Sequence, residues 1–201
     1  MKYVSIDIET TGLNHDICNI IEFAAIADDL KCQLPIESLP VFQTYILQDH
    51  YIGEPYALGM HAEIFKKIGN WQKSGINVCS PADLLPRLHT FLTTLAGYPN
   101  PKDPLGRNNL GIIKINVAGK NFGNFDSKFL EKLPHHNLLV KFNHRILDPA
   151  MLYFDPELDA DTLPSTDVCM KRANLEMKNQ HTALEDAMNV VRLLRRKYPR
   201  H

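Results

Sequence analysis

The 201-residue chain lacks most of the features that announce a specialised environment. It has only four cysteines, Cys18, Cys32, Cys79 and Cys169, and no two are spaced as C-x-x-C. Zinc ribbons and disulfide frameworks need such pairs, so the set reads as reduced, mostly buried thiols of a cytoplasmic protein. No apolar run is long enough to cross a bilayer, since "IIEFAAIA" is short and interrupted by Glu22. No leader pattern is visible, because a strand-like stretch begins at once, and no membrane partner is expected. There is no surplus of positive charge either: 22 Lys and Arg face 23 Asp and Glu, a net charge of −1. That argues against a strongly basic duplex-DNA binder and confines any polyanion contact to a local patch. Repeats and low-complexity segments are also missing. One α/β domain over 1–201 is the expectation, with a Pro/Gly/Asn-rich loop at about 98–110.

What is present begins with "KYVSIDIE". Val4, Ile6 and Ile8 alternate with Tyr3, Ser5, Asp7 and Glu9, the period of a strand. Gly12 punctuates the turn after it. "CNIIEFAAIADDL" and "VFQTYIL" read as two further strands, and the short links make an antiparallel meander the simplest arrangement. "MHAEIFKKIGN" suggests a short helix. "SPADLLPRLHTFLTTLAG" opens with a Ser cap and a Pro at the first helical position, then repeats leucines at helical spacing. "IIKINVAG" reads as a strand, "NFDSKFLEKL" as a helix, and "HRILDP" as a short strand ended by Pro149. Helix follows around "STDVCMKRAN". The last helix should start at about Ala183, behind a T-x-x-E capping box from Thr182 to Glu185. This order implies a mixed sheet with helices on its faces.

Asp7 and Glu9 leave the same face of the first strand, about 7 Å apart along the backbone. Two carboxylates so placed repel, and burial sharpens the conflict. A divalent cation removes both penalties, and hard cations prefer carboxylate oxygen; a pair of surface carboxylates on a half-exposed strand is the plainer reading. Asp186 falls one turn into the last helix, beside its apolar stripe, and His181 lies just before the cap. Asp126 sits in the first turn of another helix. It either complements that helix terminus or aims a fourth acid at the site, from the carboxyl end of a sheet strand.

The set resembles the three motifs of the DEDDh 3′–5′ exonucleases, a family that includes proofreading exonucleases, ribonuclease T and oligoribonuclease. The matching segments are "DIETTGL" (7–13), "NFGNFDSKFL" (121–130) and "HTALEDA" (181–187), in the family's order. The resemblance implies a ribonuclease H-like mixed β-sheet of about five strands flanked by helices. It implies hydrolysis of phosphodiesters at the 3′ end of single-stranded DNA or RNA by a two-metal mechanism, releasing nucleoside 5′-monophosphates. It makes Asp7, Glu9, Asp126 and Asp186 the ligands of two divalent ions, Mg²⁺ or Mn²⁺, and His181 the general base. It places Thr10 and Leu13 at the terminal nucleotide, His61 against its base or sugar, and Asn121 and Phe125 near the penultimate one. His61 and Phe125 also have a structural reading. A homodimer is among the assemblies it allows.

Glu22 should support the site by hydrogen bonding. The basic tail "RLLRRKYPRH" reads as a solvated helix face, and His135 and His136 as surface residues. "TTGL" follows proofreading and general exonucleases, whereas Asn121 five before Asp126 and Arg145-x-x-Asp148 followed by Leu152 are similar to oligoribonuclease. DNA and RNA both stay open. An oligoribonuclease-like enzyme on very short RNA is the alternative within enzymology. A catalytically silent nucleic-acid or polymerase-binding module is the alternative outside it, with the full acid set against it.

Overall fold

The computed structural model describes residues 1–100, 111–159, 161–176 and 182–199; the His181 expectation and most of the 98–110 loop lie outside them. The alternating stretch forms β1, Lys2–Thr10, and pairs antiparallel with β2, Ile20–Asp29. β2 pairs antiparallel with β3, Val41–Ile46, so the meander holds. β1 is buried on both faces. Val4, Ile6 and Ile8 enter one core with Phe23, while Tyr3 enters another with Ala24 and Ile26.

Three helices follow: α1 (Pro55–Met60), α2 (Ala62–Gly69) and α3 (Trp71–Ser74). β4, Val78–Cys79, adds parallel to β3. Ser80 accepts a hydrogen bond from the Asp83 N–H and starts α4, Pro81–Thr94, whose Leu84, Leu85, Leu88, Phe91 and Leu92 fill the first core. The expected strand "IIKINVAG" is broken at Asn116. Ile113–Ile115 (β5) leaves the main sheet, whereas Val117–Ala118 (β6) pairs parallel with β1. Asn116 holds the break by donating from Nδ2 to the Lys2 carbonyl at 2.9 Å.

α5, Asp126–Leu130, packs Phe129 and Leu130 on the first core. The strand expected in "HRILDP" forms earlier, as β7, Val140–Phe142, parallel to β5. Within "HRILDP" only Leu147 makes an isolated bridge, to Ala118. α6 (Pro149–Leu152) and α7 (Thr166–Arg172) follow. The main sheet thus runs β4-β3-β2-β1-β6, the mixed five-stranded sheet expected, with a separate β5-β7 ladder.

The last helix, α8, spans Ala183–Lys197 and covers the second face of β1 and β2 through Ala183, Ala187, Val190, Val191 and Leu194. The cap is as expected, with the Thr182 hydroxyl accepting from the Glu185 N–H at 3.3 Å. The Glu185 carboxylate turns to Arg192 rather than back to the cap. Small residues (Ala24, Ala183, Ala187) let helix and sheet approach, and the Ser5 hydroxyl donates to the Ala187 carbonyl at 2.8 Å. At its far end Arg195 grips the fully buried Asp28 through Nε and Nη2, at 2.9 and 2.7 Å. Tyr3 donates its hydroxyl to the same carboxylate at 2.8 Å. Burial opposes the Asp28 charge, but Arg195 and Tyr3 overcome it and hold the carboxyl below the usual range. Removing one partner of a buried pair strands the other. Asp28→Ala is therefore expected to lower unfolding free energy by about 3 kcal/mol, read as a shifted urea midpoint at constant slope. A change under about 0.5 kcal/mol, the size expected of an ordinary surface substitution, would show the triad to be dispensable.

Candidate active site

The acids gather where β1 runs out of partners. β6 pairs only with Val4 and Ser5, so the edge of β1 beyond Ser5 is open on that side. Asp126, the first residue of α5, fills the gap: its Oδ1 accepts the Ile8 N–H at 3.1 Å, and the side chain is buried. The chain reaches that position by passing close to β1 at Gly119. A Cβ there would lie 2.9 Å from the Ile6 carbonyl oxygen and 3.0 Å from Phe122 Cβ, so a side chain would push the turn outward.

On the α8 face of β1, Asp7 and Glu9 project beside Asp186. One carboxylate oxygen from each of the three lies within 4.8 Å of the others. Glu22 stands directly across from Glu9 on β2, a like-charge pairing that sheets disfavour. It is fully buried and accepts hydrogen bonds from Gln43 Nε2 at 2.6 Å and from the Ala183 N–H at 3.2 Å. Glu22 thus ties the start of α8 to the sheet, the supporting part expected of it.

The electrostatics follow from burial and crowding. Burial, then Asp126, Glu9, Asp186 and Glu22, push the Asp7 carboxyl well above its ordinary range. Burial, then Asp186, Glu22 and Asp126, raise Glu9 to about 8. Burial raises Asp126 to about 7 against the opposing Ile8 N–H. Burial also raises Glu22, with its hydrogen bonds to Gln43 and Ala183 opposing. Such a set of hard oxygen donors, crowded and short of charge compensation, suits divalent cations. Asp7, Glu9 and Asp186 fit one directly, with Asp126 adjoining.

A cavity of about 210 Å³ opens beside Glu9, lined by Thr10, Leu13, Met60, His61 and Phe125 among others. His61 is buried and places Nε2 3.4 Å from Glu9 Oε2. The Thr10 hydroxyl donates to the Gly12 carbonyl at 2.8 Å and shapes the turn. Leu13 stands 75% exposed at the mouth, free to meet a ligand. Phe125 lines the cavity, and its ring packs against Phe129 at 5.2 Å. Asn121 is not brought there. It is exposed, adopts a left-handed φ of 56°, and donates its N–H to Asp148 Oδ2 at 2.9 Å. Tyr56 and Glu54 are among the lining residues that sequence reasoning missed. Tyr56 is 81% exposed, and Glu54 accepts the Leu13 N–H at 3.1 Å. Pro55, at the first position of α1, signals the start of a helix but not the cavity.

No family model and no curated protein matches the sequence. Solved structures do. E. coli exonuclease I bound to a dT13 oligonucleotide matches 98% of this chain and 42% of its own, with a TM-score of 0.61 at 18% identity. The chain has a ribonuclease H-like fold, a mixed five-stranded sheet flanked by helices, similar to that of these structures. A second exonuclease I structure matches with a TM-score of 0.63 at 17% identity, over 98% of this chain and 42% of its own. The zinc-ion-bound E. coli exonuclease I–ssDNA complex matches with a TM-score of 0.61 at 17% identity, over 99% and 41%. The chain therefore spans less than half the length of the exonuclease I chains it matches. The fold implied by the three motifs is the fold found, and no described helix is long and apolar enough to cross a membrane.

Proposed function

We propose that the chain is a metal-dependent 3′–5′ exonuclease of the DEDDh type acting on single-stranded DNA. The observation that carries this reading is the convergence of Asp7, Glu9 and Asp186 within 4.8 Å, beside the cavity that Leu13 and Phe125 line. The single-stranded DNA bound in several of the compared structures favours DNA over RNA. The homodimer gains no support from them.

In this reading Asp7, Glu9, Asp126 and Asp186 would hold the divalent ions, the first, second and fourth of these being close enough to share one. The ions, when bound, neutralise charge on the phosphodiester and make water more acidic. The protein's own part is placement. Thr10 and the following turn set the floor for the terminal nucleotide. Leu13, Met60 and Tyr56 offer apolar faces to its base. Water adds to phosphorus and the bond to the 3′ oxygen breaks, releasing a 5′-monophosphate. His181 accepts the water's proton, a task suited to an imidazole near neutral pH, and solvent returns one to the leaving oxygen.

The test uses 5′-labelled single-stranded DNA, duplex DNA and RNA of several lengths, with Mg²⁺, Mn²⁺ or EDTA. Stepwise shortening of single-stranded DNA, with mononucleotide release that EDTA stops, is expected. Turnover of very short RNA alone would favour the oligoribonuclease-like reading. Binding without mononucleotide release in either metal would leave the silent module.

A further inference from the structure

A second cavity, of about 370 Å³, lies on the other side of α5 and has no part in the chemistry above. Its volume falls in the range of small-ligand sites. α5 is the partition. Asp126 turns to the acids, whereas Ser127 lines the second cavity. The preceding turn walls both spaces, with Phe125 lining the first and Phe122 and Gly123 the second.

Three rings build the interior. Phe122 is buried and meets Phe142 edge-on at 5.6 Å. The His136 ring tilts 46° to that of Phe142, with centroids 6.2 Å apart. His136, expected on the surface, is instead part-buried and faces the cavity. Its neighbours His135 and Asn137 both adopt left-handed backbone, with φ of 68° and 59°. Residues other than glycine, Asn apart, adopt that conformation rarely, and the turn they form carries the His136 ring beside Phe142. The rim adds the Asn143 amide, anchored to Asn116 Oδ1 at 2.8 Å, and the exposed Lys141.

Aromatic faces, amides able to donate and accept, and a nearby cation together suit a flat heteroaromatic with a polar edge and an attached phosphate. A base offers the rings a flat π-face, whereas an aliphatic ligand would leave the amides and Lys141 unused. We infer that this cavity is a nucleobase subsite for an upstream nucleotide of the strand whose 3′ end lies at the acids. The base chemistry stands on the cavity itself, while the choice of strand rests on the exonuclease reading.

The experiment is done in EDTA, where no cleavage interferes. The ring protons of His136 and His144 are followed by NMR while dAMP, a dinucleotide and a strand of about twelve nucleotides are added. Affinities are measured by fluorescence anisotropy for the wild type, His136→Ala and Lys141→Glu. The long strand is expected to move the His136 signals, and each variant to weaken its binding by about fivefold to tenfold with dinucleotide binding unchanged. Shifts of the same rings with dAMP alone would support the base chemistry and assign the site to a free nucleotide. No shift with any ligand, or wild-type affinity in both variants, overturns the inference. Ring shifts in a protein that releases no mononucleotide would leave the subsite standing and count against the exonuclease reading.

Discussion

Asp7→Asn is expected to lower turnover of single-stranded DNA by about a thousandfold while raising the melting temperature of the metal-free protein. The two signs share one cause. Asp7 is the carboxylate with the most acidic company, facing Asp126, Glu9, Asp186 and Glu22. An amide there removes the cost of burying an ionisable carboxyl among acids in the metal-free protein, but it also removes a ligand of the proposed metal site. Lewis-acid stabilisation of the transition state is worth several kcal/mol, or roughly three powers of ten in rate. A variant that was merely unfolded would lose activity and melt earlier, so paired kinetics and calorimetry separate the explanations. Near-wild-type turnover would remove Asp7 from the chemistry.

The second large effect is on stability against pH. Glu9 at about 8 and Asp126 at about 7 both stand far above ordinary carboxyls. Between their ordinary and folded values the native state holds more protons than the unfolded chain. Its stability therefore falls as pH rises through that window. The metal-free protein should lose about 5–10 °C in melting temperature between about pH 5.5 and 8.5, a change of a few kcal/mol. Mg²⁺ or Mn²⁺ should restore it, and restore more at the alkaline end, because the ions bind the ionised carboxylates and displace their protons. Calorimetry in EDTA and in excess metal reads both curves. A flat profile in EDTA would falsify the account of the acids given above.

The parts of this molecule that sequence reveals are those with long periods or crowded chemistry. β1 alternates in sequence over most of its nine residues, β2 is a mostly apolar run of ten, and α8 carries an apolar stripe behind a readable cap. Their placement brings Asp7, Glu9 and Asp186 together as the motifs implied. β5, β6 and β7 are two or three residues each, too short for any period to show. The break at Asn116 depends on a hydrogen bond to Lys2, which is distant in sequence. Asn121 carries a motif position, but its backbone is committed to Asp148, which also caps α6. Tyr56 was missed because an exposed aromatic in a short helix has no local signature; its meaning comes from Leu13 and Met60 lining the same cavity.

α8 has unlike ends. Arg195 and Tyr3 both donate to the buried Asp28 carboxylate at one. At the other, Asp186 lies close to Asp7 and Glu9, while the Glu22–Ala183 bond, the Thr182 cap and the Ser5–Ala187 bond tie that end to the sheet. One helix thus carries its strongest ionic tie to the sheet at the end away from the acids and its like-charge crowding at the end beside them.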